Sequence, residues 1–285
     1  MNSKGLIKLQ INPRNPVQYL ACCGILEIVA RFDSYATSRW VVCDRTELVI
    51  DSTIEERALM ICLIRSLTDW TCWSEETSEN GEITSLNVTF HLDDKRSTIS
   101  LDWWYETLDI HCKIKEKSAW KMYTGQQTAH GKSRDMVQAA NKTLADSSPE
   151  TITDLIRLNI GMDGRFGFDP RSSRNSLDTG FSSDDLKIPV ATYPFAELLA
   201  VIGAHFFFPH RTKQSGGNES TRGWIDKRVF RYGAWTISLP VALARMAASC
   251  AGFEDAASII AMRSLRASRD RYSNLTMASQ TTLRR

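Results

Sequence analysis

Between Gly164 and Phe181 the chain reads Gly-Arg-Phe-Gly-Phe-Asp-Pro-Arg-Ser-Ser-Arg-Asn-Ser-Leu-Asp-Thr-Gly-Phe, a dense gathering of residues able to do binding chemistry. Three guanidinium groups (Arg165, Arg171, Arg174) sit among three phenylalanines (Phe166, Phe168, Phe181). A guanidinium is a planar fork of donors that fits phosphate or carboxylate oxygens two at a time. The glycines admit positive φ, Asp169-Pro170 starts a turn, and Ser172, Ser173, Asn175 and Ser176 offer bonds to neighbouring backbone. Helix and sheet are both disfavoured, so the spacing predicts a long shaped loop. Its rings would pack it down while its cations face a polyanion. The same residues suit a structural loop whose arginines bond the protein's own carboxylates and carbonyls.

A second concentration of cations lies just upstream. Lys113, Lys115, Lys117, Lys121, Lys132 and Arg134 share their stretch with only Glu116 and Asp135 as acids. Trp103, Trp104, Tyr105, Trp120 and Tyr123 lie in or before it, with the amides of Gln126 and Gln127. Cations interleaved with flat rings can grip phosphates and stack bases; a solvated helix face with anchoring aromatics gives the same composition. Arg211, Lys213 and Arg222 flank a polar tip and extend the basic set. The run Gly125 to Ser133 is not a nucleotide-binding P-loop, because five residues separate its glycines where four are needed. His205 and His210, five apart, match no standard metal spacing, and no Cys-x-x-Cys occurs among the seven cysteines. The residues therefore point to binding: no catalytic set, metal or cofactor is expected.

Over 285 residues the net charge is only +2, yet its distribution is lopsided. Residues 1–112 carry 10 Lys/Arg against 17 Asp/Glu, a balance of −7; residues 113–285 carry 25 against 16, a balance of +9. A basic second portion suits a phosphate backbone, although an acidic half docked on a basic half gives the same arithmetic. Scattered cysteines fit buried thiols in a reducing compartment, no apolar run reaches membrane-spanning length, and Met1 to Leu6 lacks a signal-peptide core. A cytoplasmic protein without membrane contact is expected.

These residues must be positioned by an α+β fold. Leu6 to Ile11 reads as a strand, and Asn15-Pro16 with Gln18 as the start of a helix whose apolar face is Tyr19, Cys22, Cys23, Leu26, Val29 and Ala30. Strands at Trp40 to Cys43 and Leu48 to Ile50, a helix from Ile54 to Leu67, and a hairpin of Leu86 to Leu92 with Ile99 to Trp103 complete an acidic α+β portion, residues 1–112. Residues 113–285 read as a basic, mainly helical portion with a few strands, either separate or continuous with the first. Its helices are expected after a Ser133 cap, after Ser148-Pro149, from Pro194 to a stop at Gly203, and from Pro240 to Cys250. His205 to His210 is expected to be extended, Trp224 to Leu239 to form strands broken at Gly233, and the tail bearing Arg263, Arg266, Arg269 and Arg271 to be helical.

Three segments together carry a family resemblance: Asn15-Pro16-Val17-Gln18-Tyr19-Leu20-Ala21 with its continuation to Glu27, then Gly125-Gln126-Gln127, then Gly164 to Ser173 with Asn175, Leu177-Asp178 and Gly180-Phe181-Ser182. In this order they resemble the large subunit of type I-U (also called I-G) CRISPR surveillance complexes, with Val17 where the pattern has glycine. The resemblance implies a non-catalytic subunit of a Cascade-type ribonucleoprotein in antiviral defence. Such a subunit is RNA-binding and DNA-binding: it sits near the 5′ end of the guide RNA beside backbone and guide-end-binding subunits. It inspects the motif next to the double-stranded DNA target, helps open the duplex and presents the complex to a helicase-nuclease. Base pairing supplies most of the sequence specificity. Within this reading Lys113, Lys115, Lys121, Lys132, Arg134, Arg165, Arg171, Arg174, Arg211, Lys213 and Arg222 are candidate phosphate contacts. Gln126, Gln127 and Asn175 are candidate base-edge contacts. The alternatives are a metal-dependent nuclease using Asp163, Asp169, Asp178, His205 or His210, and a structural adaptor whose basic surface meets acidic proteins.

Overall fold

The computed structural model describes residues 5–42, 46–77, 83–101, 106–108, 115–117, 120, 129–162, 166–172, 189–207, 223–225, 228–250, 258–269 and 272–281. Strand β1 (Gly5–Gln10) leads into helix α1 (Pro16–Phe32). Asn15 caps α1 by accepting the Val17 amide, and Pro16 takes the first helical position, where its missing N–H leaves no bond unmade. Gln18 reaches past the cap: its Oε1 accepts from the Asn12 amide at 2.8 Å and so closes the loop that precedes the helix. β2 (Thr37–Val41), β3 (Glu47–Ser52) and α2 (Glu56–Thr68) follow, then a single 3-10 turn at Trp70–Cys72. β4 (Trp73–Thr77), β5 (Ile83–Leu92) and β6 (Lys95–Ser100) form an antiparallel meander on α2, with Asp93 at φ 51° in the turn between the last two. β7 (Glu106–Leu108) and β8 (Lys115–Lys117) pair with each other.

Next come α3 (Ala129–Ala145), α4 (Ile152–Arg157), the paired β9 (Ile160–Met162) and β10 (Val190–Thr192), and α5 (Pro194–Gly203). β11 (Trp224–Ile225), β12 (Val229–Trp235), β13 (Leu239–Pro240), α6 (Val241–Ala248), β14 (Ile259–Arg269), β15 (Tyr272–Leu275) and β16 (Ser279–Thr281) complete the described chain. Two larger antiparallel sheets result. One has the order β1-β3-β2-β13; the other runs β11-β12-β14-β15, with β16 also paired to β14.

The α+β class is as expected, but individual elements of the second portion differ from the sequence expectation. The expected basic helix holding Arg263, Arg266 and Arg269 is strand β14, which pairs with β12 from Val229↔Leu265 to Trp235↔Ile259. Seven successive cross-strand positions outweigh the helix preference of Arg, Ala and Leu. β12 passes through Gly233 without a break. Ser133 is wholly buried inside α3, which begins four residues earlier, and the cap of α4 is Thr151, in a reciprocal box with Asp154. His205-Phe206-Phe207 continues α5 as a 3-10 turn (Ala204–Phe207) where an extended stretch was expected.

Gly203 was expected only to stop α5; it also lets α5 approach α1. A Cβ on Gly203 would lie 1.7 Å from the Leu20 carbonyl oxygen, and one on Gly24 would lie 2.1 Å from that of Leu199. Backbone thus touches backbone at the crossing, and every residue of α5 is buried. One cluster of buried side chains runs from Ile7 to Ala278 and draws on both sides of Cys112. Each fully buried Leu, Ile or Phe in it contributes about 1.5–3 kcal/mol over exposure. Tyr19 donates to the Gly233 carbonyl at 2.6 Å, Trp235 Nε1 donates to that of Ser38 at 2.9 Å, and β13 completes the N-terminal sheet. The acidic and basic portions are therefore packed around a shared core. No helix among the described residues is long and apolar enough to cross a membrane.

Candidate nucleic-acid interface

Two of the sequence segments that carry the resemblance meet in space. The amide Nδ2 of Asn15, the residue that caps α1, donates to Asp169 Oδ1 at 3.2 Å. Asp169 is wholly buried and gathers three further donors from one neighbour: Arg171 N at 3.0 Å, Arg171 Nε at 3.0 and 3.1 Å, and Arg171 Nη2 at 2.7 Å. The fork is possible because the 3-10 turn Pro170–Ser172 folds Arg171 back over the carboxylate. Proline has no N–H to compete for that carboxylate. The far face of the guanidinium lies on the Tyr193 ring, 3.6 Å from its centroid, just before α5. Arg171 keeps 33% of its side chain exposed, and its Nη1 takes no hydrogen bond among the described residues.

Two of the loop's three rings pack inward as expected, and Phe181 lies outside the described residues. Phe166 and Phe168 are buried 6.1 Å apart, and Phe168 meets Trp120 edge-on at 5.9 Å. Gly167, at φ 91°, accepts the Leu275 amide at 3.0 Å and so pins the loop to β15. Trp120 itself is 1% exposed among Phe207, Trp224 and Phe230, so it anchors the core and offers no stacking face to a base.

Among the other predicted contacts, Lys132 and Arg134 part company. Lys132 is buried at 8% exposure while Arg134 is exposed, because residues two apart on a helix lie about 200° around its axis. Lys132 is thereby corrected from a surface cation to a buried one. Lys115 occupies the register position opposite Leu108 in the β7–β8 ribbon. Lys113, Lys121, Gln126, Gln127, Arg165, Arg174, Asn175, Arg211, Lys213 and Arg222 lie outside the described residues. Among the described residues of this loop, the structure holds one guanidinium, Arg171. Its pairing with Asp169 leaves the couple neutral, so it offers donor geometry more than attraction.

No family model, curated protein or solved structure matches the chain. Its own geometry must carry the reading. Of the acids and histidines of the nuclease alternative, Asp169 and His205 are described. Asp169 is saturated by Asn15 and Arg171, and His205 Nε2 stands 3.9 Å from the buried Glu27 carboxylate. Asp163, Asp178 and His210 lie outside the described residues, within which no three His, Cys, Asp or Glu side chains converge on a common point.

Glu27 itself was missed by sequence reading. It is fully buried in α1, yet Arg31 donates to Oε1 from Nη2 at 3.0 Å and Arg245 of α6 donates to Oε2. Arg31 four residues on was the available signal; Arg245, more than two hundred residues away, had none. Nearby, burial pushes the Cys22 and Cys23 thiols up, well above their ordinary range, so neither is a poised nucleophile.

Proposed function

We propose that this chain is the non-catalytic, nucleic-acid-binding large subunit of a type I-U/I-G CRISPR surveillance complex. In that role it holds the 5′ region of a guide RNA and target DNA, with parts in target-adjacent motif recognition, duplex opening and helicase-nuclease recruitment. The observation that supports the reading is the Asn15–Asp169–Arg171 junction. Residues 154 positions apart, drawn from two of the motif segments, form one buried unit, which gives their joint occurrence a physical reason. The unit fixes Pro170–Ser172 against the α1 cap; Arg165 and Arg174, on either side of it in the sequence, lie outside the described residues.

The test is co-expression with backbone and guide-end-binding subunits and a guide RNA. The chain should enter an RNA-dependent particle that binds duplex target, with affinity falling steeply as salt rises. Charge reversal at Arg165 and Arg174 should weaken target binding by that particle; unchanged binding removes the loop from the interface. Assembly without RNA that is indifferent to salt would favour the adaptor reading. Cleavage of labelled DNA or RNA by the purified chain with magnesium or manganese, abolished in Asp169→Asn, would replace the proposal with the nuclease.

A further inference from the structure

The sheet brings together two arginines that the sequence keeps thirty-two positions apart. Arg231 on β12 and Arg263 on β14 are directly opposite in register, and Ser279 on β16 stands opposite Arg263 in the same row. Residues directly opposite on neighbouring strands project from the same face. Like charges in that relation repel, and here nothing among the described residues relieves them, since no described carboxylate forms an ion pair with either. Arg231 adds a second anomaly: its Nε is buried without a hydrogen-bond partner, whereas Arg263 is exposed. An unpaired buried donor is costly to maintain, and the charged groups that remain accessible reward an anionic acceptor most.

We propose that the Arg231–Arg263 pair is a contact for the phosphodiester backbone of a bound nucleic acid. The inference rests on the nucleic-acid reading above and assigns it a surface outside the arginine loop. One phosphate offers several acceptor oxygens to two facing guanidinium groups and cancels their repulsion. A line of phosphates fits better than a lone anion. Arg228, immediately before β12, is exposed and adds a third cation beside the pair. Leu265, 48% exposed two residues from Arg263, supplies an apolar contact beside the cations.

The experiment uses the full chain, fluorescence anisotropy with a labelled single-stranded RNA and a labelled duplex DNA, and a salt titration. Wild type is compared with Arg231→Gln, Arg263→Gln and the double variant. Each single change should weaken binding about tenfold. The double variant's log K against log salt slope should be shallower by about 1.5, as expected for two lost phosphate contacts. Thermal midpoints should stay level or rise, because like-charge repulsion is removed. A fall in the midpoint with unchanged nucleic-acid affinity marks the arginines as structural and overturns the proposal. Wild type that binds nucleic acid, with a double variant of identical affinity and slope, overturns this surface while sparing the proposed function. Wild type that binds neither probe, alone or in the co-expressed particle, overturns both. Two competitors settle the class of anion. Displacement of the probe by polyglutamate as readily as by unlabelled RNA of equal charge would make the partner an acidic protein. Stabilisation by pyrophosphate with no competition from RNA would make it a small anion; either result overturns the phosphodiester assignment.

Discussion

A carboxylate sealed from water stabilises a fold only when donors surround it, and Asp169 collects four hydrogen bonds from the Arg171 backbone and guanidinium besides the Asn15 amide. Arg171→Ala strands that buried charge, so unfolding free energy in urea should fall by about 2 kcal/mol, the low side for a broken buried pair because Arg171 is partly exposed. Arg171→Lys should recover little, since a point charge cannot fork. Asp33 is the clearest pH-sensitive group. Burial alone would raise its pKa, but hydrogen bonds from Thr53 N, Ser52 Oγ, Tyr35 N and Thr53 Oγ1 outweigh it and hold it below its ordinary 3.8. Its contribution is therefore full above pH 3.8 and is lost as pH falls through the lower folded value. Acid titration of Asp33→Asn should show that step missing. The buried phenylalanines of the loop were legible because aromatic rings have few other places to go. The partner of Arg171 was not, since an acid beside three arginines can be paired internally or can leave them all free. Nor was the fate of Lys132, which depends on a helix start four residues before the cap that local chemistry suggested.

Elements report what residues cannot. At the α1–α5 crossing a methyl group has no space, so Gly203→Ala and Gly24→Ala should each destabilise by about 3 kcal/mol or more, beyond the usual cost of overpacking. Measured together they should fall short of additivity, because one displacement of the helices accommodates both. Long periodic elements such as α1 and α2, and the alternating β5, were readable from pattern alone. β14 was not: its composition is ambiguous, and it becomes a strand because β12, β15 and β16 all pair with it. That ambiguity also hid Arg231 and Arg263 from sequence reading, for cross-strand register is invisible in a linear chain.

At the scale of the molecule, the charge asymmetry along the sequence does not divide the buried core, which draws on both portions. The shared core predicts one cooperative denaturation transition, with fluorescence of the buried tryptophans and far-ultraviolet circular dichroism coincident. It also predicts that residues 1–112 expressed alone will not reach a native state; a well-dispersed, cooperatively melting fragment would contradict this. Burial pushes the Cys62 thiol up to about 11, and Cys22 and Cys23 also stay protonated, so alkylation near pH 8 should follow the rate of global opening. The dependence of α1 on α5 has a consequence for biosynthesis. The helix ends at Phe32 and its covering partner begins at Pro194, so at roughly 5–20 residues per second the ribosome delivers that cover some ten to thirty seconds later. Until then a sticky seventeen-residue segment travels uncovered on the nascent polypeptide, a natural client for holding chaperones and a reason for translation speed to influence yield.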